Sequence, residues 1–331
     1  MSRRFGRALR GVSVACLLMF GLLALPAMAQ VRQEGAAPGG RGGPVPLAAG
    51  TSHACAVRSD GSVACWGKNY DGQATPPTGT FVALGAGGDH SCGIRGNGSV
   101  VCWGRNDQGQ ASAPGGTFTA LAAGAAHTCG LRSDGGVQCW GVGYTSWQPS
   151  GSYVALSASG NYTCALQPDG GLKCWRVGQA LLEQPVAGVF TAVSVGGSKY
   201  ACGLHADSSI TCWDDVGTVS QAPSTGFTSV SVSGSGNQRC GGRPDGSVTC
   251  WVGSYEYPAP ASGQFIALSA GFDYTCGLRS HGSVTCTTSL GVSDSPHTSA
   301  AVSWLSTASR PHRSTTAHRC ARRGSGPEKV A

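Results

Sequence analysis

The stretch HSCGIRGNGSVVCWG, residues 90–104, holds the pattern that decides the fold, because its two cysteines have nine residues between them and a glycine-rich turn at the centre. A three-residue hairpin loop is a type I turn followed by a left-handed residue, and glycine adopts that conformation without steric cost. Counting outward from the turn at 96–98 places Cys92 directly opposite Cys102. Opposed residues of antiparallel strands lie close enough for a disulfide, so the stretch predicts a crosslinked β-hairpin.

The same hairpin pattern occurs seven times, with offsets of 35 to 38 residues between successive pairs. Six of the seven turns end in glycine. A structural zinc site is the rival use of paired cysteines, but such sites favour two to four residues between ligands, and no pair here has that spacing. We therefore predict seven disulfides within the repeats: Cys55–Cys65, Cys92–Cys102, Cys129–Cys139, Cys164–Cys174, Cys202–Cys212, Cys240–Cys250 and Cys276–Cys286.

Two further features of each repeat point to strands on either side of the hairpin. A strand-like segment precedes six of the hairpins, at 81–84, 118–121, 153–156, 190–193, 227–230 and 265–268, and the first repeat keeps only Leu47. A tryptophan follows the second cysteine in six repeats, on the face of the strand opposite the disulfide, and is expected to pack blade against blade. With a looser segment after it, each repeat holds about four strands. The sequence predicts an all-β, seven-bladed β-propeller over 45–289, with a β-helix as the alternative.

The ends of the chain differ from the repeats. Residues 1–29 read as a secretory signal peptide, with early arginines, an apolar run and Ala27-Met28-Ala29 before the expected cleavage site; lipidation at Cys16 is the less favoured alternative. Residues 30–44 form a Gly/Pro-rich linker. Residues 290–331 are expected to be a disordered basic tail with an unpaired Cys320. Because the seventh repeat has Thr287 where tryptophan is expected, we also predict a truncated or frame-shifted end.

Charge and compartment restrict the partners that we expect. The formal charge of +7 comes from the two ends, since 30–289 holds 13 basic and 14 acidic residues, a net charge of −1. A nucleic-acid-binding domain usually carries a basic face, so nucleic acid is not an expected partner. No segment has the roughly 20 apolar residues of a membrane span. We expect a monomer that is secreted to the extracellular space or the periplasm.

The repeats resemble those of the regulator of chromosome condensation family. The resemblance lies in His90 to Arg95, the turn, Ser99 to Asn106 and Gly109-Gln110, and the first repeat matches equally well. It covers about residues 45–286 and weakens after the second repeat, where the Asn-x-x-Gly-Gln element is lost. The resemblance implies a seven-bladed platform for protein binding. The architecture is also similar to that of the secreted propeller-type β-lactamase inhibitory protein, which binds through loops on one face.

Two sets of recurring polar residues raise the question of chemistry. Three histidines, His53, His90 and His127, occupy one repeat position, yet equivalent side chains of neighbouring blades diverge, whereas zinc needs its ligands near 2 Å from one point. We interpret them as hydrogen-bonding caps between blades. The recurring aspartates sit in the turns, where their side chains bind the local backbone: Asp60, Asp134, Asp169, Asp207 and Asp245. No cofactor, metal or catalytic residue is predicted.

The expected function is the binding of a protein or cell-surface ligand whose identity the sequence does not give. The alternatives are a secreted propeller enzyme acting on glycans, for which Asp214, Asp215 and Glu256 are the available acids, and guanine-nucleotide exchange by family analogy, which the secretion signal disfavours. Segments after the tryptophans differ from blade to blade, as recognition positions can. They supply the candidate binding surface: Tyr70, Arg105, Tyr144, Trp147, Arg176, Tyr255 and Tyr257.

Overall fold

The computed structural model describes residues 47–143, 148–177, 187–197, 199–214, 217–258 and 263–288. Within these ranges every regular element is a β-strand, and the strands form seven antiparallel sheets in chain order. Each sheet is one blade of the predicted propeller. The predicted signal peptide, linker and basic tail lie outside the described residues, as does Cys320.

The first four blades contain three strands each. They are β1 (Leu47–Ala49), β2 (His53–Val57) and β3 (Val63–Gly67); β4 (Ala83–Ala86), β5 (His90–Ile94) and β6 (Val100–Gly104); β7 (Phe118–Ala123), β8 (His127–Arg132) and β9 (Val137–Gly141); and β10 (Ala155–Ser159), β11 (Tyr162–Leu166) and β12 (Leu172–Arg176).

Blades five and six have a fourth strand, and blade seven has three. They are β13 (Phe190–Gly196), β14 (Tyr200–His205), β15 (Ile210–Asp214) and β16 (Val219–Gln221); β17 (Ser229–Val232), β18 (Arg239–Gly242), β19 (Val248–Val252) and β20 (Tyr255–Pro258); and β21 (Phe265–Ala270), β22 (Tyr274–Arg279) and β23 (Val284–Thr288).

The hairpin turns have the conformation that their sequence predicts. Gly61 and Gly98 adopt φ values of 82° and 83°, and in the turn without glycine Ser208 adopts a φ of 68°. The turn aspartates act on the local backbone, since Asp60 Oδ1 accepts hydrogen bonds from the Ser62 amide at 2.8 Å and its hydroxyl at 2.6 Å. These bonds lower the pKa of the Asp60 carboxyl. The recurring acids are therefore turn residues, as predicted.

All seven predicted disulfides are present, each within one blade. Each first cysteine is the register partner of its own second cysteine, as counting from the turns predicts. The paired Cα atoms lie 3.9 to 4.1 Å apart, closer than the roughly 4.5–5.5 Å of an ordinary antiparallel pair. Each disulfide therefore fixes the register of the second and third strands of its blade.

The hydrophobic core is divided into seven clusters, and every cluster lies between two neighbouring blades. In one of them Phe81 and Trp103 of blade two pack against Cys55 and Val57 of blade one. Five blades place such an aromatic pair on the preceding blade, with ring centroids 5.6 to 6.3 Å apart. The predicted packing of tryptophan between blades is confirmed, and the disulfides of blades one to five lie at junctions with such an aromatic pair of the following blade.

The ring closes between blade seven and blade one. Trp66, Ala54 and Leu47 of blade one share a cluster with Cys276 and Leu278 of blade seven. The junction between blades six and seven has fewer aromatic side chains than the others, because Thr287 replaces tryptophan there. Its cluster is small, and Phe265 is only partly buried, whereas the corresponding phenylalanines of earlier blades are buried.

We expect Thr287→Trp to stabilise the propeller by about 1 kcal/mol, because the new ring would pair with Phe265 as tryptophan does in other blades. Denaturant unfolding of the two proteins measures the difference. Thr287→Val is the control that separates loss of the hydroxyl group from addition of a ring. A tryptophan variant less stable than the valine variant would show that this junction has no room for the ring.

The expectation of four strands in every blade is wrong for blades one and two, and the described residues of blade three also form only three strands. The segments after the third strands of blades four and seven lie largely outside the described residues. Blade three shows a physical reason: the side-chain amide of Gln148 accepts from the Cys139 amide at 2.7 Å and donates to the Cys139 carbonyl at 2.8 Å. A single side chain thus occupies hydrogen-bonding groups that a fourth strand would use. In blades one and two the chain instead forms braced loops after the third strand, described below.

No helix in the described part of the chain is long and apolar enough to cross a membrane.

Candidate functional site

The two ends of the propeller differ in what they present. We call one end the upper face; it consists of the turns between first and second strands, such as 87–89, and of the segments after the third strands, such as 105–108. The lower face carries the disulfide-linked hairpin turns, such as 95–99. The hairpin turns of the lower face are similar from blade to blade, whereas the segments after the third strands, on the upper face, vary more in sequence.

A central cavity of about 560 Å³ opens among the first strands, and residues of all seven blades line it. Its walls are mostly glycine, alanine and serine, and neighbouring turns bond directly, as when the Ala125 amide donates to the Gly160 carbonyl at 2.6 Å. Glycine is required at such points, because a Cβ on Gly124 would lie 2.6 Å from the Gly160 oxygen. At the rim of the cavity Phe272 is 51% exposed and Lys199 is exposed.

Buried polar side chains connect the blades around this cavity. His53, His90 and His127 each place Nε2 2.8 Å from a hydroxyl oxygen of the next blade, that of Ser91, Thr128 and Thr163 respectively. Because the Ser91 and Thr128 hydroxyls donate to the backbone carbonyls of Gln73 and Gln110, they accept from Nε2–H of the histidines. The histidines are therefore caps between blades, as predicted. Gln238 also bridges to the next blade, but there its Oε1 accepts from the Thr275 hydroxyl at 3.4 Å.

Tyrosine replaces histidine where the next blade lacks the hydroxyl. Tyr162, Tyr200 and Tyr274 face Ala201, Arg239 and Ala54 at that position. Tyr274 reaches across the closing junction instead, and its hydroxyl donates to the carbonyls of Gly50 at 3.0 Å and His53 at 2.6 Å. The residue type at this position thus follows from the neighbouring blade.

Burial keeps the three histidines neutral. It lowers the pKa of His53 and His90 to about 4 and that of His127 to about 3. In His53 and His90, Nδ1 is buried and has no hydrogen-bond partner within the described residues. A second proton on either ring would therefore have no acceptor.

The loops after the third strands of blades one and two are braced by their own side chains. Asn69 Oδ1 accepts from the Ala74 amide at 2.9 Å, and Gln73 Oε1 accepts from the Asp71 amide at 2.9 Å. The Gln73 carbonyl also accepts from Trp103 Nε1 at 2.9 Å, which ties the loop to the next blade. Blade two repeats these bonds with Asn106, Gln110 and Trp140. At the tip of the first loop Tyr70 is 91% exposed.

Charged side chains surround Tyr70 in a connected network. Asp89 accepts from Lys68 Nζ at 2.9 Å and from Gln73 Nε2 at 3.2 Å, and Arg105 lies 3.9 Å away. Arg105 also pairs with Asp107 at 2.5 Å. Hydrogen bonding to Asp89 raises the pKa of Lys68. The network holds the polar surroundings of Tyr70 in one arrangement.

The candidate surface residues have different positions in the structure. Tyr70 and Arg105 lie on adjoining blades; Lys68 Nζ, 5.8 Å from the centre of the Tyr70 ring, and Arg105 both approach Asp89. Tyr255, 72% exposed, lies on blade six. The Arg176 guanidinium lies 5.9 Å from the centre of the Tyr162 ring. Tyr144 and Trp147 lie outside the described residues, as does the side chain of Tyr257. The surface as a whole remains a prediction.

The described acidic residues that were considered as catalytic groups form hydrogen bonds and an ion pair with neighbouring residues. Glu256 lies 3.6 Å from Arg243 and accepts from the Ser224 hydroxyl at 2.8 Å. Asp214 Oδ1 accepts from the Thr218 amide at 2.8 Å, and Asp215 lies outside the described residues. Within the described chain no group of three or more His, Cys, Asp or Glu residues could hold a metal ion.

Sequence reasoning missed Lys199, which lines the central cavity in blade five, and Arg239, whose guanidinium faces the Tyr200 ring at the junction of blades five and six. A signal was present in the spacing. The interval from Leu84 to Cys92 is eight positions, but that from Val230 to Cys240 is ten. The turn before the second strand is therefore longer in blade six.

Comparisons with known proteins agree with this architecture. Residues 47–73, 81–110 and 118–144, in three consecutive blades, match the family model of the regulator of chromosome condensation (RCC1) repeat. No curated protein sequence matches the chain significantly.

Solved structures with the same fold include extracellular domains. The CRINKLY WD40 ectodomain of the Arabidopsis thaliana receptor kinase ACR4 is 25% identical with a TM-score of 0.59, covering 73% of this chain and 96% of that one. The ectodomain of the Physcomitrella patens receptor kinase CR4 is 26% identical with a TM-score of 0.61, covering 75% and 74%. Human WBSCR16, 13% identical with a TM-score of 0.60 over 71% and 87%, shares the fold.

Proposed function

We propose that the chain is a secreted, monomeric binding module that recognises a protein or cell-surface ligand through the upper face of its propeller. The observation that carries the proposal is Tyr70, a large aromatic side chain held 91% exposed on a loop braced by Asn69 and Gln73. An exposed tyrosine on a rigid support loses little conformational entropy on binding, and tyrosine is enriched among residues that dominate interfaces.

The compartment and the fold support this proposal. Seven disulfides form and persist in an oxidising environment, which suits a protein outside the cytosol. Two structures of similar fold are the ectodomains of receptor kinases. Binding is proposed in preference to catalysis because the described carboxylates near Tyr70 and Tyr255, such as Asp89 and Glu256, are held in ion pairs.

The test begins with capture of a partner from the surroundings of the producing organism, using the immobilised propeller. Tyr70→Ala and Tyr255→Ala are then compared with the parent protein. Arg58→Ala is the matched control, since this exposed side chain belongs to the hairpin turns of the lower face. A partner of the upper face is lost with the tyrosine variants and retained by the control.

We expect Tyr70→Ala or Tyr255→Ala to weaken a captured partner by about 2 kcal/mol or more, roughly a thirtyfold increase in Kd, while the melting temperature is unchanged. Biolayer interferometry measures the first quantity and circular dichroism the second. If both variants bind within a few tenths of a kcal/mol of the parent, or if Arg58→Ala weakens binding equally, the upper face is not the binding surface.

A further inference from the structure

Arg239 occupies a position where every other blade has a small residue. The position directly precedes the first cysteine of each blade, and its side chain enters the junction with the preceding blade. The other blades carry alanine, serine or threonine there: Ala54, Ser91, Thr128, Thr163, Ala201 and Thr275. The packing of the repeat therefore does not explain why an arginine occupies this junction.

The guanidinium of Arg239 is half-buried and carries an unpaired charge. Its carbon lies 5.9 Å from the centre of the Tyr200 ring of blade five. The Nε atom is buried and has no hydrogen-bond partner, and no carboxylate of the described chain pairs with this side chain. Burial lowers the pKa of Arg239. A half-buried cation without a counterion is costly, which makes the site receptive to an anion.

The residues around Arg239 also depart from the repeat pattern. Lys199 lies exposed directly before Tyr200 and places a positive charge at the cavity rim. The turn of blade six is extended by two positions and contains Gly236, where any Cβ would collide with the Tyr200 ring. The extension thus packs on Tyr200 beside the cation.

We propose that Arg239, whose guanidinium lies 5.9 Å from the Tyr200 ring, forms with Lys199, the residue before Tyr200, an anion site that binds a carboxylate group of a protein partner. The planar fork of a guanidinium matches the two oxygens of a carboxylate. Two cations suit one acidic side chain or chain terminus, whereas a sulfated polysaccharide requires a larger basic surface. This site is separate from the Tyr70 surface of the proposed function, and residues of this chain alone form it.

The experiment is an NMR titration of the ¹⁵N-labelled protein with a tri-glutamate peptide at constant ionic strength. The Nε–Hε signal of Arg239 is assigned by its absence from the spectrum of Arg239→Gln. We expect this signal to shift and saturate with tri-glutamate and to stay unchanged with tri-glutamine. Arg239→Gln should weaken peptide binding by about tenfold or more, and the lower-face control Arg58→Gln by less than about twofold.

Two further arms keep the proposal falsifiable. Arg239→Lys keeps the charge but loses the fork, so we expect weakened binding even if Arg239→Gln does not fold. A sulfated disaccharide tests the other source of negative charge. The proposal is overturned if Arg239→Lys binds tri-glutamate as tightly as the parent does, if the Arg239 signal does not move, or if the disaccharide binds and the peptide does not. None of these arms uses the unidentified partner, so failure here is distinct from failure of the Tyr70 surface.

Discussion

Full reduction of the protein is expected to unfold it. Each disulfide closes a hairpin with a sequence separation of 10, and the chain-entropy model assigns such a loop about 3 kcal/mol. A domain is stable by only about 5–15 kcal/mol in total, so loss of several crosslinks exceeds that margin even if their contributions are not additive. Circular dichroism melting of the oxidised protein and of the reduced, thiol-blocked protein measures the effect.

A single disulfide provides the control for this experiment. Replacing Cys92 and Cys102 together by serine should cost about 3 kcal/mol and leave a folded protein, because six crosslinks remain. If the reduced, blocked protein melts within a few degrees of the oxidised one, the packing between blades suffices without the disulfides.

Acidification below neutral pH is expected to destabilise the propeller through its buried histidines. Histidine in the unfolded chain has a pKa of about 6.5, whereas burial lowers the pKa of His53 and His90 to about 4. The unfolded state therefore binds more protons between these values, so stability is complete above pH 6.5 and falls as the pH approaches 4. At pH 4.5 the loss is about 2–3 kcal/mol for each histidine. Denaturant unfolding at pH 7 and pH 4.5 measures it.

Blade six supplies the matched variant for the pH experiment. Gln238 occupies the histidine position there, next to Thr275, and glutamine does not titrate in this range. We expect the triple variant with His53, His90 and His127 replaced by glutamine to lose far less stability between pH 7 and pH 4.5 than the parent. If the parent and the triple variant lose the same amount, the loss comes from other groups.

Much of the scaffold is predictable from the sequence because its determinants are local. The turn at Ser59-Asp60-Gly61 sets the register of its own hairpin, and that register alone brings Cys55 to Cys65. Alternation along the third strand places Trp103 on the opposite side from Cys102. These relations depend on a few neighbouring residues and a fixed strand geometry.

The features that were not predicted depend on contacts between distant residues. The described residues of blade three form no fourth strand, and Gln148 takes up hydrogen-bonding groups of Cys139; nothing in the local pattern distinguishes a glutamine with that role. Arg239 is unpaired because no carboxylate among the described residues of blade five pairs with it, and the sequence near Arg239 does not show this. Of the predicted surface, Tyr70 and Tyr255 were found from their departure from the repeat, but their exposure required the structure.

The pairing of His53, His90 and His127 with hydroxyl groups of the next blade has a consequence for protein engineering. A blade of this propeller is not an exchangeable cassette, because the residue at its histidine position fits only a neighbour of the right kind. If blade one were inserted before blade five, His53 would face Ala201, which offers no acceptor for the His53 Nε2–H. If blade four were placed before blade two, Tyr162 would face the Ser91 hydroxyl, which now accepts a hydrogen bond from His53. When blades are shuffled or duplicated, each should therefore be moved together with the residue on the second strand of the following blade that faces its histidine or tyrosine.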